Sequence, residues 1–285
     1  MLLTSPPTPR NATDTVRLGV VSFVNTLPLI DGLEQLRDVS LKYTVPSLLI
    51  DQLMADEVDV ALCSSIDYVK ATIPMVILPV GLLGCDGPTL TVRLYAQCPL
   101  DQIESVYCDT DSHTSLALMQ ILFHERTGRT PELIAYNARE HVAQNRPIEN
   151  PQALLLIGDK VVTDSPPAVR YPHQMDLGEA WKELTGLPFV FAVWMAKRGT
   201  DQARLRTAAY ALDHQRRHNR ERLDIIIQRR ACRQGWPRDL AAEYLKRCIT
   251  YDFTNEHMSA LEVFYSKAHE LGLIPRLRPI EIFEV

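Results

Sequence analysis

The most constraining feature of this sequence is a rhythm. Short apolar runs of strand length alternate with helix-length segments from Val16 to Lys197. Val16–Ser22, Ser40–Val45, Val58–Cys63 and Met75–Pro79 read as strands, with Thr26–Arg37, Pro46–Ala55 and Ser64–Ala71 as the helices between them. The rhythm then restarts. Glu104–Cys108, Glu132–Tyr136 and Ala153–Ile157 read as strands of the second unit and Ser112–Thr127 as a strong helix, while Thr89–Gln97 is the last strand of the first unit and Phe189–Lys197 a strand returning to it. Residues 139–150 read as a polar, irregular excursion. From Asp201 to about Leu271 the pattern is helical, and an extended, proline-bearing tail closes the chain. This alternation predicts an α/β architecture with largely parallel sheets. Two such units before a helical remainder predict two lobes around a cleft.

Composition enters as a set of exclusions. With 46% hydrophobic and 23% charged residues among 285, the chain can bury a real core and is unlike disordered or collagenous sequences. Its formal charge of −5 argues against a nucleic-acid partner, whose footprint is usually basic. Nine arginines do lie between Arg204 and Arg233. Asp201, Asp213, Glu221 and Asp224 interleave with them on a helical pattern, as on a solvated helix face. No apolar run approaches the roughly 18 residues of a membrane span; the richest, Pro74–Cys85, is cut by Pro79. The cysteines at 63, 85, 98, 108, 232 and 248 form no CxxC pair and no histidine spacing completes a zinc site, so no metal is expected. Residues 1–15 read as a flexible tail without the basic and apolar regions of a secretory signal, which predicts a cytoplasmic protein with reduced thiols.

Small polar residues sit where strands give way to helices: Asn25-Thr26, Ser64-Ser65 and Ser112-His113-Thr114-Ser115. Helix N-termini offer unpaired N–H groups and a partial positive charge, so such junctions can hold carboxylates or phosphates without an arginine. Ser, Thr and Asn are also the usual N-caps, and each junction taken singly is better read that way. Convergence of all three would favour an anion site. Thr91, in the strand after the Gly87-Pro88 turn, is a further candidate. So is Gly158-Asp159, because ligands of open α/β sheets lie beyond the carboxyl ends of strands, although Asp159 serves equally as an N-cap. The sequence holds no GxSxG elbow, Walker A loop, GxGxxG fingerprint or HExxH pair. On these residues alone the reading stops at a small-anion binder or enzyme.

Several segments carry a further signal, in consistent order over residues 16–198. They are Gly19-Val20-Val21-Ser22-Phe23-Val24-Asn25-Thr26-Leu27-Pro28-Leu29, Cys63-Ser64-Ser65-Ile66-Asp67-Tyr68 and Cys85-Asp86-Gly87-Pro88 in the first unit. Ser112-His113-Thr114-Ser115, Leu156-Ile157-Gly158-Asp159 and Asp176-Leu177-Gly178 follow, with Trp181 and the run from Thr185 to Trp194. Together they resemble the chorismate dehydratase family of the futalosine route to menaquinone.

The resemblance implies a two-lobed type II periplasmic-binding-protein-like fold, residues 16–93 with 194–285 forming one lobe and 94–193 the other. It implies conversion of chorismate to 3-[(1-carboxyvinyl)oxy]benzoate and water, in which a ring proton is removed, the ring hydroxyl leaves and the ring becomes aromatic. Aromatisation drives this elimination, so no cofactor is implied. The protein's task is to orient a dianion and stabilise developing charge, and the substrate's own enolpyruvyl carboxylate is the base in proposals for the family. By position, Asn25 would polarise and orient the substrate, and Thr91, where relatives often carry serine, would be the second catalytic residue. Ser64 and Ser65 would bind one carboxylate, and Ser112 and Thr114 the other, beside His113, which replaces an arginine common in that stretch. Gly158 and Asp159 would complete the cleft, Asp159 accepting from the substrate hydroxyl. The implied partner is chorismate, with neither nucleic acid nor membrane. Two alternatives stay open: a non-catalytic solute-binding module of the same fold, which the missing export signal disfavours, and 1,4-dihydroxy-6-naphthoate synthase. The latter would favour a cleft histidine, and none stands at the Asn25 or Ser64 junctions.

Overall fold

The computed structural model describes residues 15–136 and 151–284. The expected tail, except Thr15, and the polar excursion at 139–150 lie outside the described residues. In chain order the strands are β1 (Val16–Val20), β2 (Val39–Tyr43), β3 (Val60–Ser64), β4 (Met75–Cys85), β5 (Val92–Ala96), β6 (Ser105–Asp109), β7 (Glu132–Tyr136), β8 (Ala153–Ile157), β9 (His173–Asp176) and β10 (Phe189–Lys197). The helices are α1 (Leu27–Ile30), α2 (Pro46–Met54), α3 (Asp67–Lys70), α4 (His113–Thr127), α5 (Lys160–Thr163), α6 (Leu177–Thr185), α7 (Gln202–Glu221), α8 (Leu223–Ile226), α9 (Arg238–Glu243) and α10 (Asn255–Glu270).

Two five-stranded sheets organise these elements, in the orders β2-β1-β3-β10-β4 and β7-β6-β8-β5-β9. Side chains alternate between the faces of a strand. Val16, Leu18 and Val20 of β1 therefore join Leu205, Ala208 and Leu212 of α7 on one face of the first sheet. Ala61 and Cys63 of β3 join Leu49 and Leu53 of α2 on the other. Covered on both faces, β3 is buried at every position, which is why VALCS is almost wholly apolar. The α2-side core runs on into the second sheet through Trp181, Phe189 and Phe264. Phe189 meets Trp181 edge-on at 5.2 Å and Phe264 at 5.1 Å. Burial of each such side chain contributes about 1.5–3 kcal/mol, so the lobes share a core beside their connections.

Several expectations need correction. The sheets are mixed, not largely parallel: β10 runs antiparallel to β3 and β4, and β5 antiparallel to β8 and β9. Pairing also assigns each of these strands wholly to one sheet, so the expected lobe limits at 93/94 and 193/194 fall inside β5 and β10. Val92-Arg93 belong with the second sheet, and Phe189–Val193 with the first. The Thr26–Arg37 helix is broken into short turns at Asp31-Gly32, where Gly32 has φ +89°. The strand expected to end at Pro79 continues to Cys85. It lies at the sheet edge, where the missing proline N–H is tolerated. The C-terminal helical region is interrupted before α10, where Thr250 bridges back to Gly84. The arginines of the basic segment are largely paired, Arg204 with Asp59, Arg217 with Asp213 and Arg230 with Asp31 among them. No helix among the described residues is long and apolar enough to cross a membrane.

Candidate functional site

Between the sheets, beyond the carboxyl ends of β1, β3 and β8, lies a small, partly open cavity of about 50 Å³. The walls are built from Phe23 and Asn25 after β1, Ser64 at the end of β3, Thr89 and Thr91 between the lobes, and Ser112 and Ser115 at the start of α4. Gly158 follows β8, and Tyr244 and Ile249 arrive from the distant helical region. No charged side chain is among the described residues lining it.

Asn25, Ser64, Thr91, Ser112 and Gly158, singled out from the sequence, thus converge on one space. Gly158 has φ +71°, a conformation costly for other residues, and a side chain there would meet the Phe23 ring at 3.3 Å. Ser65, His113, Thr114 and Asp159 do not line the cavity. They lie in the seam where the lobes close. Ser65 Oγ donates to the Val190 carbonyl (2.7 Å) and lies 3.3 Å from Thr114 Oγ1, which accepts from Ile66 N at 3.2 Å. His113 Nδ1 is 2.8 Å from Asp67 Oδ1, and the Asp159 carboxylate accepts from Val24 N at 3.3 Å. Neighbouring residues point different ways at these turns, so Ser64 faces the cavity while Ser65 faces protein. The Asp67 bond raises the His113 pKa against the opposing effect of burial.

Two helix N-termini abut the cavity, one from each lobe. At α4, the Ser112 side chain accepts from Ser115 N at 3.3 Å. At α2, Pro46 lines the wall and no side chain caps the helix, a feature the sequence reading passed over. Such ends carry a partial positive charge suited to carboxylates. On the same wall, Asn25 Oδ1 and Thr89 Oγ1 are buried without a hydrogen-bond partner. Buried polar atoms are nearly always paired, so these two mark where a ligand's polar groups would complete the network.

Thr89 and Tyr244 were also missed. Tyr244 Oη is 2.6 Å from Thr91 Oγ1. Burial pushes the Tyr244 hydroxyl far above its ordinary range, its hydrogen bonds with Thr91 and Asn25 opposing, so it stays a neutral phenol. No motif surrounds Tyr244 in the sequence, whereas the Gly87-Pro88 turn could have drawn attention to Thr89.

The segment carrying Thr89 and Thr91 is held by Asp176. Its carboxylate caps α6, accepting from Gly178 N (3.0 Å) and Glu179 N (3.2 Å), and also accepts from Thr89 N (2.9 Å) and Leu90 N (2.7 Å). Gly178 permits this approach, because a Cβ there would stand 2.6 Å from the Gly87 carbonyl oxygen. The Cys85–Pro88 and Asp176–Gly178 motifs are therefore two halves of one clasp between the lobes.

A family profile described as menaquinone biosynthesis matches residues 16–270, spanning both lobes and every residue of this cavity. The chain belongs to that family. Among its relatives is a protein of Thermus thermophilus named chorismate dehydratase, 29% identical over 242 residues, covering 80% of this chain and 86% of the relative. Solved structures place this menaquinone-biosynthesis family member in the periplasmic-binding-protein-like fold. Protein AF1704 from Archaeoglobus fulgidus superposes with a TM-score of 0.74 at 16% identity, over 93% of this chain and 100% of that one. The periplasmic aliphatic sulphonate binding protein SsuA of Escherichia coli gives 0.62 at 17% identity, over 92% and 94%.

Proposed function

We propose that this chain is a cytoplasmic lyase that dehydrates chorismate to 3-[(1-carboxyvinyl)oxy]benzoate. One observation carries the reading: an interlobe cavity with no charged side chain among its described lining residues, flanked by two helix N-termini, in which Asn25 Oδ1 and Thr89 Oγ1 are buried without a hydrogen-bond partner. The name of the Thermus relative supplies the candidate substrate.

Chorismate is a ring with two carboxylates. In this reading the start of α4, with Ser112 and Ser115, binds one carboxylate, and Ser64 with the start of α2 binds the other. The reaction removes a proton from the ring carbon bearing the enolpyruvyl ether. Negative charge spreads through the adjacent double bond to the ring carboxylate, and the neighbouring hydroxyl then leaves as water. Fixed dipoles aimed at that charge lower the barrier without reorganising. A neutral amide is a poor base, so Asn25 polarises and positions, and the substrate's own enolpyruvyl carboxylate takes the proton. Thr91 donates toward the departing hydroxyl. The proton held by the enolpyruvyl carboxylate passes to the departing hydroxide, so the sum is loss of water and the step is redox-neutral. Ser65, His113, Thr114 and Asp159 act by closing the lobes around the substrate.

The test is incubation of purified protein with chorismate. Loss of the diene absorbance with appearance of the aromatic product by mass spectrometry is expected. Unchanged chorismate at high protein concentration would overturn the reaction; binding without turnover would leave a solute-binding module in its place.

A further inference from the structure

We propose that Tyr244 is a positioning residue for this elimination: its hydroxyl donates to Thr91 Oγ1 and thereby turns the Thr91 proton into the cavity. The inference rests on the reaction assigned above and adds to it a residue from the far end of the chain.

Four observations support it. Thr91 and Tyr244 are both buried and both line the cavity, and their oxygens are 2.6 Å apart. The Thr91 backbone is fixed on both sides, its N–H donating to the Thr89 carbonyl (2.7 Å) and its carbonyl accepting from Gly158 N (2.8 Å). With a β-branched side chain stiff at χ1, the place of Oγ1 is set by the backbone, and only the direction of its proton remains open. The Tyr244 ring is fixed as well. It stacks on Trp236, with centroids 5.0 Å apart and planes 18° from parallel, and it opens a π-helical turn, Tyr244–Cys248, of a kind frequent at functional sites.

At this distance either hydroxyl can donate. A phenol is the more acidic class of hydroxyl, and the proposed arrangement has Tyr244 donating and Thr91 accepting. Thr91 then has one hydrogen left to give, and the free direction is the cavity. Accepting from Tyr244 also polarises the Thr91 hydroxyl and makes it a better donor to an oxygen gaining negative charge. Burial keeps Tyr244 protonated, so no proton passes along the chain; the phenol orients Thr91, and the departing hydroxyl accepts a hydrogen bond from it.

A double-mutant cycle with chorismate tests this, using wild type, Tyr244→Phe, Thr91→Val and the double variant, with Thr91→Ser as the conservative control. Tyr244→Phe should lower kcat about 10- to 100-fold, somewhat less than loss of a direct donor, with KM little changed. In the Thr91→Val background, Tyr244→Phe should cost nothing further; in the Thr91→Ser background it should cost the same factor as in wild type. Unchanged kcat in Tyr244→Phe, or an equal loss on top of Thr91→Val, overturns the role, because packing damage would multiply independently of Thr91. Should Tyr244→Phe fold poorly, 3-fluorotyrosine at the same position keeps the ring and provides a more acidic hydroxyl. Turnover at or above wild type is then expected, and turnover lost overturns the proposal. A wild type inert toward chorismate removes the reaction and this role together, whereas an active wild type matched by Tyr244→Phe removes this role alone.

Discussion

The His113 imidazole and the Asp67 carboxylate face each other across the lobe seam, Nδ1 to Oδ1 at 2.8 Å. Asp67 opens α3 and is almost wholly buried, while His113 opens α4 in the other lobe and is about a third exposed. The hydrogen bond to Asp67 raises the His113 pKa, and burial raises that of Asp67. A raised histidine pKa means that the pair's contribution to closure is complete below about 6.5, the unpaired value, and is lost as pH rises through the higher, closed-state value. With the imidazole partly exposed, about 1 kcal/mol is at stake. KM for chorismate should therefore rise several-fold on the alkaline side in wild type and stay flat in Asp67→Asn. Steady-state KM across that range checks this; identical profiles for the two proteins would exclude the latch.

Asn25 has a different signature. Its buried Oδ1 has no hydrogen-bond partner, so truncation removes an acceptor the fold does not use, and Tyr244, which the Asn25 side chain also bonds, keeps Thr91. Asn25→Ala should melt within a few degrees of wild type while kcat falls about 100-fold or more, as when one donor to developing charge is removed. Turnover and thermal melts on the same preparation separate these effects.

Gly178→Ala tests the clasp. Its added methyl would press on the Gly87 carbonyl and on Cys85 Sγ, 2.6 and 2.5 Å away. Overpacking of this kind costs about 1–3 kcal/mol, read from the midpoint of urea unfolding. An unchanged midpoint would mean that the two motifs are not pressed together.

Lys160 is buried and ion-paired with Asp109 and, at 2.7 Å, with Asp111. Lys160→Met leaves Asp109 as an uncompensated buried charge and should destabilise the protein by about 3–5 kcal/mol. Adding Asp109→Asn should recover part of that loss, since it removes the stranded charge. Denaturant melts of the single and double variants measure the recovery.

Much of the fold was legible because burial on two faces writes itself into sequence as short apolar runs: Ala153–Ile157 and Phe189–Lys197 have the expected limits. Strand direction was not legible. β5 and β10 pair against their neighbours because the chain enters each sheet from the other lobe, and periodicity is the same whichever way a strand runs. For the site, Asn25, Ser64, Ser112 and Gly158 could be suspected from strand-end position and residue type. Their neighbours Ser65, Thr114 and Asp159 carry the same chemistry and the same positional signal. Which of two adjacent hydroxyls faces a cavity depends on local backbone rotation.

The sequence by itself determined the alternation of strands and helices, the absence of an extended apolar span and the family motifs, because each is a local pattern of residue types. Tertiary structure alone decided that Tyr244 meets Thr91, that Asp176 holds the segment bearing Thr89, and that His113 pairs with Asp67 instead of lining the cavity. These are contacts between residues far apart in the chain. They exist only once two sheets have packed, and no local periodicity encodes the distance between them.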